Sequence, residues 1–190
     1  MNELSLHILD AMENSLEAGA TRIELTIEED LAADRLTITI VDNGRGMDEE
    51  TVAKVLDPFF TTRQTRHVGL GLPLFAAAAE RCNGTLTVES QPGQGTRARA
   101  TFQHSHIDRA PLGNMKSTLL GVLLAQRAVD LHYVHRVEGR GFEFDTAEIR
   151  KELGGIPLSH PKVRPWLAEF IAEGEQWAQQ PGESPPTVRE

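Results

Sequence analysis

An acidic residue and two glycines, Asp42, Gly44 and Gly46, stand at the end of a predicted strand. Residues 36–41 alternate leucine and isoleucine with threonine and valine, the two-residue period of a half-buried strand. The glycines permit a sharp turn and the close approach of a ligand, and the carboxylate is an acceptor for an exocyclic amine. A simple strand-to-helix turn would explain the same residues. A calcium loop is disfavoured, because glycines occupy its third and fifth positions, where oxygen ligands are needed.

A second polar set lies on a predicted helix, residues 3–18, whose apolar residues recur at spacings of three and four. Asp10 and Asn14 are four residues apart on another flank, so their side chains lie one above the other. Glu13 and Glu17 lie one step around the helix. These oxygen atoms suit Mg²⁺, and the alternative is a solvated acidic face.

Glycines also precede a predicted alanine-rich helix, at Gly69 and Gly71. The free N–H groups at a helix start, together with the helix dipole, form a site for phosphate. Residues 57–67 lack a regular pattern, and we interpret them as a mobile loop anchored by Phe59 and Phe60. Bound ligand is expected to protect this loop from protease.

The composition sets the broad class of the protein. With 190 residues, 39% hydrophobic side chains and a net charge of −9, we expect a soluble globular protein that does not bind nucleic acid, which needs concentrated Lys and Arg. No apolar run is long enough to span a bilayer and the start lacks a signal-peptide pattern, so a cytoplasmic protein without membrane contact is predicted. The single cysteine, Cys82, excludes an internal disulfide and is expected in the core.

The remaining pattern predicts the elements that position these residues. Further strands are expected at residues 21–29, 85–90 and 96–102. Beyond residue 104 the pattern predicts helices at 115–128, 146–153 and 162–178 and a hairpin of 131–137 with 142–144.

The same change of pattern suggests a division of the chain. Residues 1–104 are expected to hold the ligand site, residues 105–180 to form an α/β region for partner recognition or structure, and residues 181–190 to be a disordered tail. Four histidines of the second part and its boundary are interpreted as surface residues: His104, His106, His132 and His135.

Four motifs follow one another in a diagnostic order: Asp10-x-x-x-Asn14, Asp42-x-Gly44-x-Gly46, the segment 57–63 and Gly69-Leu-Gly71-Leu. This order resembles the GHKL superfamily of DNA gyrase B, heat-shock chaperones of the Hsp-ninety type, histidine kinases and MutL. The first motif is most similar to MutL, and the last two to the catalytic domain of sensor histidine kinases. The resemblance covers about half of the chain. It implies an α+β fold, a two-layer α/β sandwich of the Bergerat type with a mixed sheet covered by helices, and here a smaller C-terminal α/β appendage.

The resemblance also implies roles for single residues. Asn14 would coordinate Mg²⁺, Asp42 would accept a hydrogen bond from the adenine amino group, and Thr96 would help to hold an adenine-bound water. Gly44 and Gly46 would line the adenine and ribose. The remaining nucleotide-contacting residues would be Phe59, Gly69, Leu70, Gly71 and Leu72, with the two glycines at the phosphates. Arg63 would reach the terminal phosphates as a catalytic cation, unless it is a solvated loop arginine.

Three departures from the family pattern bear on activity. Asp10 replaces the glutamate that activates water in MutL and gyrase, which disfavours efficient ATP hydrolysis unless Glu13 takes over. His67 stands where the kinase phosphate loop starts with a glycine. Few residues precede the Asp10 helix, so we expect the phosphoacceptor hairpin of histidine kinases to be missing.

These features predict a histidine-kinase-like protein that binds Mg²⁺ and ATP or ADP and transfers phosphate to a separate protein of a signalling system. A protein kinase is favoured over an ATPase. The alternative is a nucleotide-gated binding switch or a slow ATPase of the GHKL type. A homodimer is left open.

Overall fold

The computed structural model describes residues 3–57, 71–125 and 129–179. Within these ranges the elements follow in the order α1 (Leu4–Glu17), β1 (Arg22–Asp30), β2 (Arg35–Asp42), α2 (Glu49–Lys54), α3 (Gly71–Arg81), β3 (Thr85–Gln91), β4 (Gly95–Gln103), α4 (Met115–Leu123), β5 (Asp130–Val137), β6 (Arg140–Asp145), α5 (Thr146–Glu152) and α6 (Val163–Gln179).

The described strands form one mixed sheet in the order β3-β4-β2-β1-β5-β6. Neighbouring strands are antiparallel except β1 and β5, which run parallel. Short turns suffice for antiparallel neighbours, whereas the parallel pair needs the long connection that carries β2, α2, α3, β3, β4 and α4. The expected mixed α+β sheet is confirmed, and the C-terminal strands extend it beyond β1.

Four helices cover the sheet in the neighbour order α3, α1, α4 and α6. The predicted apolar stripe of α1 is buried, including Ile8, Met12 and Leu16. On β1, the alternating side chains of Ile23, Leu25 and Ile27 are fully buried beneath this layer. Removal of these apolar surfaces from water holds the two layers together. Cys82 is buried, as the sequence predicted.

The second half of the chain contacts the start of α1 directly. The N–H of Leu4 donates to the Pro111 carbonyl at 2.9 Å, and the N–H of Ser5 donates to the Leu112 carbonyl at 2.8 Å. The first N–H groups of a helix have no partner within the helix, so this segment satisfies them. Thr118 adds a hydrogen bond from its hydroxyl to the Ser5 carbonyl at 3.4 Å. Helix α1 is therefore held from both halves of the chain.

Two expectations about the second half were wrong. His135 is fully buried and not a surface residue, because its ring nitrogens contact Glu29 and Glu175 at 2.9 and 3.1 Å. Helix α4 ends at Leu123 and not at residue 128, although residues 126–128 themselves lie outside the described ranges. No helix in the described part of the chain is both long and apolar enough to cross a membrane.

Candidate functional site

Asp42, the last residue of β2, holds a buried carboxylate with both oxygens engaged. The Ser15 hydroxyl on α1 donates to Oδ2 at 2.7 Å, and the N–H of Gly44 donates to Oδ1 at 2.8 Å. Each carboxylate oxygen has two lone pairs, so both retain capacity for a further donor. The side chain is thus fixed in orientation and remains an acceptor.

Three neighbouring strands place polar side chains beside one another at this end of the sheet. Asp42 on β2 lies directly opposite Thr96 on β4, and Thr96 lies directly opposite Ser90 on β3. Residues directly opposite each other in a sheet point to the same face, so the three side chains form one row. The Ser90 and Thr96 hydroxyl oxygens are 3.0 Å apart.

The turn after β2 requires glycine because backbone and helix pack closely around it. Gly46 has a φ of +68°, and a Cβ there would lie 1.9 Å from the carbonyl oxygen of Gln91. A Cβ on Gly44 would lie 2.8 Å from the Cβ of Ala18, the residue that follows α1. Both distances are shorter than side chains tolerate, which explains the glycine spacing physically. The turn consequently places backbone without side chains beside the Asp42 carboxylate.

Asp10, on the predicted polar flank of α1, lies beside the start of α3. Asp10 and Asn14 are half-buried, whereas Glu13 is exposed. A Cβ on Gly71, the first residue of α3, would lie 3.0 Å from the Cβ of Asp10 and 3.6 Å from its Oδ2. The first and fourth motifs therefore meet, with a carboxylate beside a helix N-terminus. Asp10 is the acidic residue that this contact places beside the start of α3.

The structure describes some of the predicted site residues, and others lie outside the described ranges. The structure brings Asp42, Gly44 and Thr96 together, and Gly71 to Asp10. Leu72 is half-buried and packs against the core. The other predicted site residues on the lid and at the phosphate glycines lie outside the described residues: Phe59, Arg63, Gly69 and Leu70.

A cavity of about 660 Å³ opens at the end of β2, β3 and β4. Asp42, Ser90 and Thr96 line it, together with Glu49 and Val52 of α2. None of its described lining residues comes from α1 or α3. The cavity therefore reaches Asp42, while Asp10 and Gly71 meet outside its described lining.

His7 lies one turn before Asp10 on α1 and is buried. Its ring stacks on Phe75 with a centroid distance of 5.2 Å, and its Nδ1 has no hydrogen-bond partner among the described residues. Burial, with a smaller effect of the positive N-terminus, lowers the pKa of His7. The ring is thus held neutral inside the helix layer and is not exposed for reaction.

Sequence reasoning missed two hydroxyl groups, those of Ser15 and Ser90. Ser15 follows Ile8 and Met12 on the apolar stripe of α1, so a polar side chain at a buried position was the available signal. Ser90 accepts a hydrogen bond from the N–H of Met47 at 2.8 Å and donates to the Gly95 carbonyl at 2.8 Å. It thereby ties the glycine turn to the hairpin between β3 and β4.

Comparison with known proteins adds a family match and several relatives. Residues 2–106 match the family described as "Histidine kinase-, DNA gyrase B-, and HSP90-like ATPase". The chain is 40% identical over 105 residues to the sensor protein kinase FleS of Pseudomonas aeruginosa, covering 55% of this chain and 25% of FleS. It is 34% identical over 106 residues to the sensor protein kinase WalK of Staphylococcus haemolyticus, covering 53% and 17%. It is 31% identical over 96 residues to the sensor protein DegM of Bacillus sp., covering 50% and 26%.

The alignments therefore span about a quarter of the length of these relatives or less. Among solved structures, the N-terminal domain of a DNA repair protein matches with a TM-score of 0.54 and 15% identity. That match covers 75% of this chain and 52% of the other. At this identity the likeness concerns the fold alone, and it agrees with the helix-covered mixed sheet.

Proposed function

The chain belongs to the family of histidine kinase-, DNA gyrase B- and HSP90-like ATPases, and from this premise we propose that it binds Mg²⁺-ATP and transfers the terminal phosphoryl group to a separate protein. The observation that carries the proposal is the buried Asp42 carboxylate, oriented by Ser15 and Gly44. A fixed acceptor among the residues that line a cavity is suited to the amino group of adenine.

The rest of the nucleotide would extend from Asp42 towards α3. Gly44 and Gly46 are the residues proposed to line the base and ribose, and their close packing against Ala18 and Gln91 holds this turn beside Asp42. Gly71 starts α3, and the free N–H groups of a helix start favour phosphate. Gly69, Leu70 and Leu72 complete this motif in the proposal.

The residues near α3 fit the magnesium ion that accompanies ATP. The described residues contain no group of three or more His, Cys, Asp or Glu side chains that could hold a metal by themselves. Mg²⁺ bound to a nucleotide needs fewer protein ligands, since phosphate and water oxygens fill most of its positions. Asn14 is the proposed ligand, with Asp10 one turn away on the same half-buried flank. The ion would neutralise phosphate charge.

Phosphoryl transfer makes modest demands on the protein. The bond between the γ-phosphorus and the bridging oxygen breaks, ADP leaves with that oxygen, and a nucleophile on the partner protein takes the phosphoryl group. Positioning and charge neutralisation carry most of the catalysis. Arg63 is the proposed cation at the terminal phosphates. Asp10 is shorter by one methylene than the glutamate that activates water in the resembling ATPases, which favours transfer over hydrolysis.

The partner is proposed to dock on the second half of the chain, residues 105–180. This half contributes β5 and β6 to the sheet and places α4 against α1, the helix of Asn14. A docked protein would therefore touch elements that adjoin the site. The second candidate is a nucleotide-gated switch or slow ATPase, in which ATP orders the protein without phosphate transfer.

Incubation with γ-labelled ATP and Mg²⁺, alone and with soluble extract of the source organism, separates the candidates. Transfer predicts a labelled protein other than this chain, which is absent with the Asn14→Ala variant and present with Glu13→Ala. Free labelled phosphate without a labelled protein would instead indicate an ATPase. Neither product, from protein that binds ATP by calorimetry, would indicate the switch.

A further inference from the structure

The hydroxyl group of Ser90 is surrounded by three hydrogen-bonding partners. It lies 2.8 Å from the Met47 nitrogen, 2.8 Å from the Gly95 carbonyl oxygen and 3.0 Å from the Thr96 hydroxyl oxygen. A hydroxyl group has one proton to donate and two lone pairs. The Met47 N–H can only donate, so Ser90 accepts from it. The Gly95 carbonyl can only accept, so the short contact with it requires Ser90 to donate its proton to that oxygen.

This assignment determines the direction of the third hydrogen bond. Because the Ser90 proton points at Gly95, the contact with Thr96 needs the proton of Thr96 itself. Thr96 then donates to Ser90 and offers only lone pairs to its other neighbour in the row, Asp42, and to anything bound between them. The carboxylate of Asp42 is also an acceptor. This end of the cavity therefore presents acceptors on two adjacent strands.

We propose that Ser90 is a positioning residue that holds the Thr96 hydroxyl as an acceptor and thereby sharpens the choice of adenine over 6-oxopurines. The inference rests on the proposed function, because it concerns the base of the bound nucleotide. Adenine carries an amino group at position 6, whose N–H groups match acceptors. Hypoxanthine and guanine carry an oxygen there, which faces acceptors without a donor and leaves polar groups unpaired.

Removal of the Ser90 hydroxyl would release the proton of Thr96. In Ser90→Ala, Thr96 no longer has an acceptor at 3.0 Å and can rotate its proton towards the ligand. It can then donate to a 6-oxo group, directly or through a water. The affinity for ATP should therefore fall, and the affinity for the 6-oxo analogue should rise. The ratio of the two affinities changes even where the fold is intact.

Calorimetry with ATP and inosine triphosphate tests this. The parent should prefer ATP, and Ser90→Ala should reduce that preference about threefold to tenfold, the range expected for one neutral hydrogen bond. Ser90→Thr keeps a hydroxyl on a β-branched side chain and should retain the parental preference. Thr87→Ala, on the same strand but facing the opposite side of the sheet, should leave both affinities unchanged. Thermal melting of each variant checks the fold.

A double-mutant cycle shows whether Ser90 acts through Thr96. In a Thr96→Val background, Ser90→Ala should cause no further change in the ATP preference. An equal loss of both affinities in Ser90→Ala, or a full effect in the Thr96→Val background, would overturn the inference. A parent protein that binds neither nucleotide would contradict the proposed function itself, so the two failures are distinguishable.

Discussion

Asn14 and its neighbours show how one helix serves both the core and the site. Asn14 and Asp10 are half-buried, with Asp10 beside the start of α3, while Glu13 between them is exposed. We predict that Asn14→Ala abolishes Mg²⁺-dependent activity and leaves much of the nucleotide affinity, because the metal contact is separate from the base contact. Phosphate transfer and ATP calorimetry on the same preparation measure the two effects.

Glu13→Ala is the matched control for this prediction, since it removes an acidic side chain from the solvent side of the same helix. It should retain activity. Equal activity in Asn14→Ala and the parent would show that the polar flank of α1 is only a solvated surface.

At the residue scale, the sequence predicted the groups whose type and local spacing are unusual. Asp42 with Gly44 and Gly46 stands out because glycine and an acid follow a strand. The hydroxyl of Ser90 carries no such local signal, and that of Ser15 is marked only by its position on the apolar stripe of α1. Ser15 meets Asp42 from 27 positions away, and this contact exists only after α1 packs on the sheet. Long-range polar contacts of this kind could not be predicted without the fold.

At the scale of elements, the glycine turn depends on its packing against the β3–β4 hairpin. Gly46 and Gly93 both have positive φ, but only Gly46 would bring a Cβ against backbone, 1.9 Å from the Gln91 oxygen. Gly93 has open space around the Cβ position. Gly93→Ala should therefore cost roughly 1–2 kcal/mol of unfolding free energy, the strain of a left-handed residue with a side chain.

Gly46→Ala should cost about 1–3 kcal/mol more, because the backbone must also move to relieve the overlap. Urea unfolding of the two variants and the parent measures the difference. Similar losses in both variants would mean that the turn has room for a side chain, and that its closeness to the hairpin is not what requires glycine.

The order of elements along the chain was predicted more completely than their neighbours in space. Alternation and spacing found the strands and helices within a few residues, because these patterns are local. The parallel pairing of β1 with β5 was not predicted, since the sequence of neither strand indicates which strand it pairs with. It places residues of the second half next to β1 in one sheet.

At the scale of the whole molecule, a partly buried ionic network around His135 joins the two halves. His135 on β5 contacts Glu29 of β1 and Glu175 of α6 at 2.9 and 3.1 Å. Glu29 also binds His104 at 2.7 Å, and the Tyr133 hydroxyl donates to Glu175 at 2.7 Å. Burial opposes the charged form of His135, but hydrogen bonds and attraction from both glutamates raise its pKa to about 9. Hydrogen bonding from His135 lowers the pKa of Glu29 to about 2.

These shifts predict how stability depends on pH. The raised pKa of His135 means that its contribution is complete below its usual value of 6.5 and is lost as the pH rises through 9. The lowered pKa of Glu29 means that its contribution is complete above 4.5 and is lost as the pH falls towards 2. The network should therefore stabilise the fold most between pH 4.5 and 6.5.

Urea unfolding of the parent and His135→Gln at pH 6 and pH 9.5 tests this. The variant should be less stable at pH 6, and the gap should narrow at pH 9.5, because the parent's histidine then loses its charge. Groups that titrate in both proteins cancel in the comparison. A gap that stays constant would show that His135 contributes packing and not an ionic contact.

The network and the contacts at the start of α1 also concern the division of the chain. The boundary near residue 104 remains a prediction about roles, with nucleotide binding before it and partner recognition after it. Removal of the second half would uncover β1 and leave the N–H groups of Leu4 and Ser5 without their carbonyl partners. Point variants are for this reason better tests of the roles than truncation.

The most direct test of the central claim is calorimetry of Mg²⁺-ATP with the parent, Asp42→Asn and Asp48→Asn. Asp48 lies in the same segment and caps α2 by accepting from the Thr51 N–H at 2.8 Å, a role that asparagine fills equally well. Asp48→Asn should keep the parental affinity. Asp42→Asn should weaken binding about tenfold or more, because its amide group turns a donor towards the donor of adenine. An unchanged affinity in folded Asp42→Asn would contradict the assignment of this carboxylate to the nucleotide base.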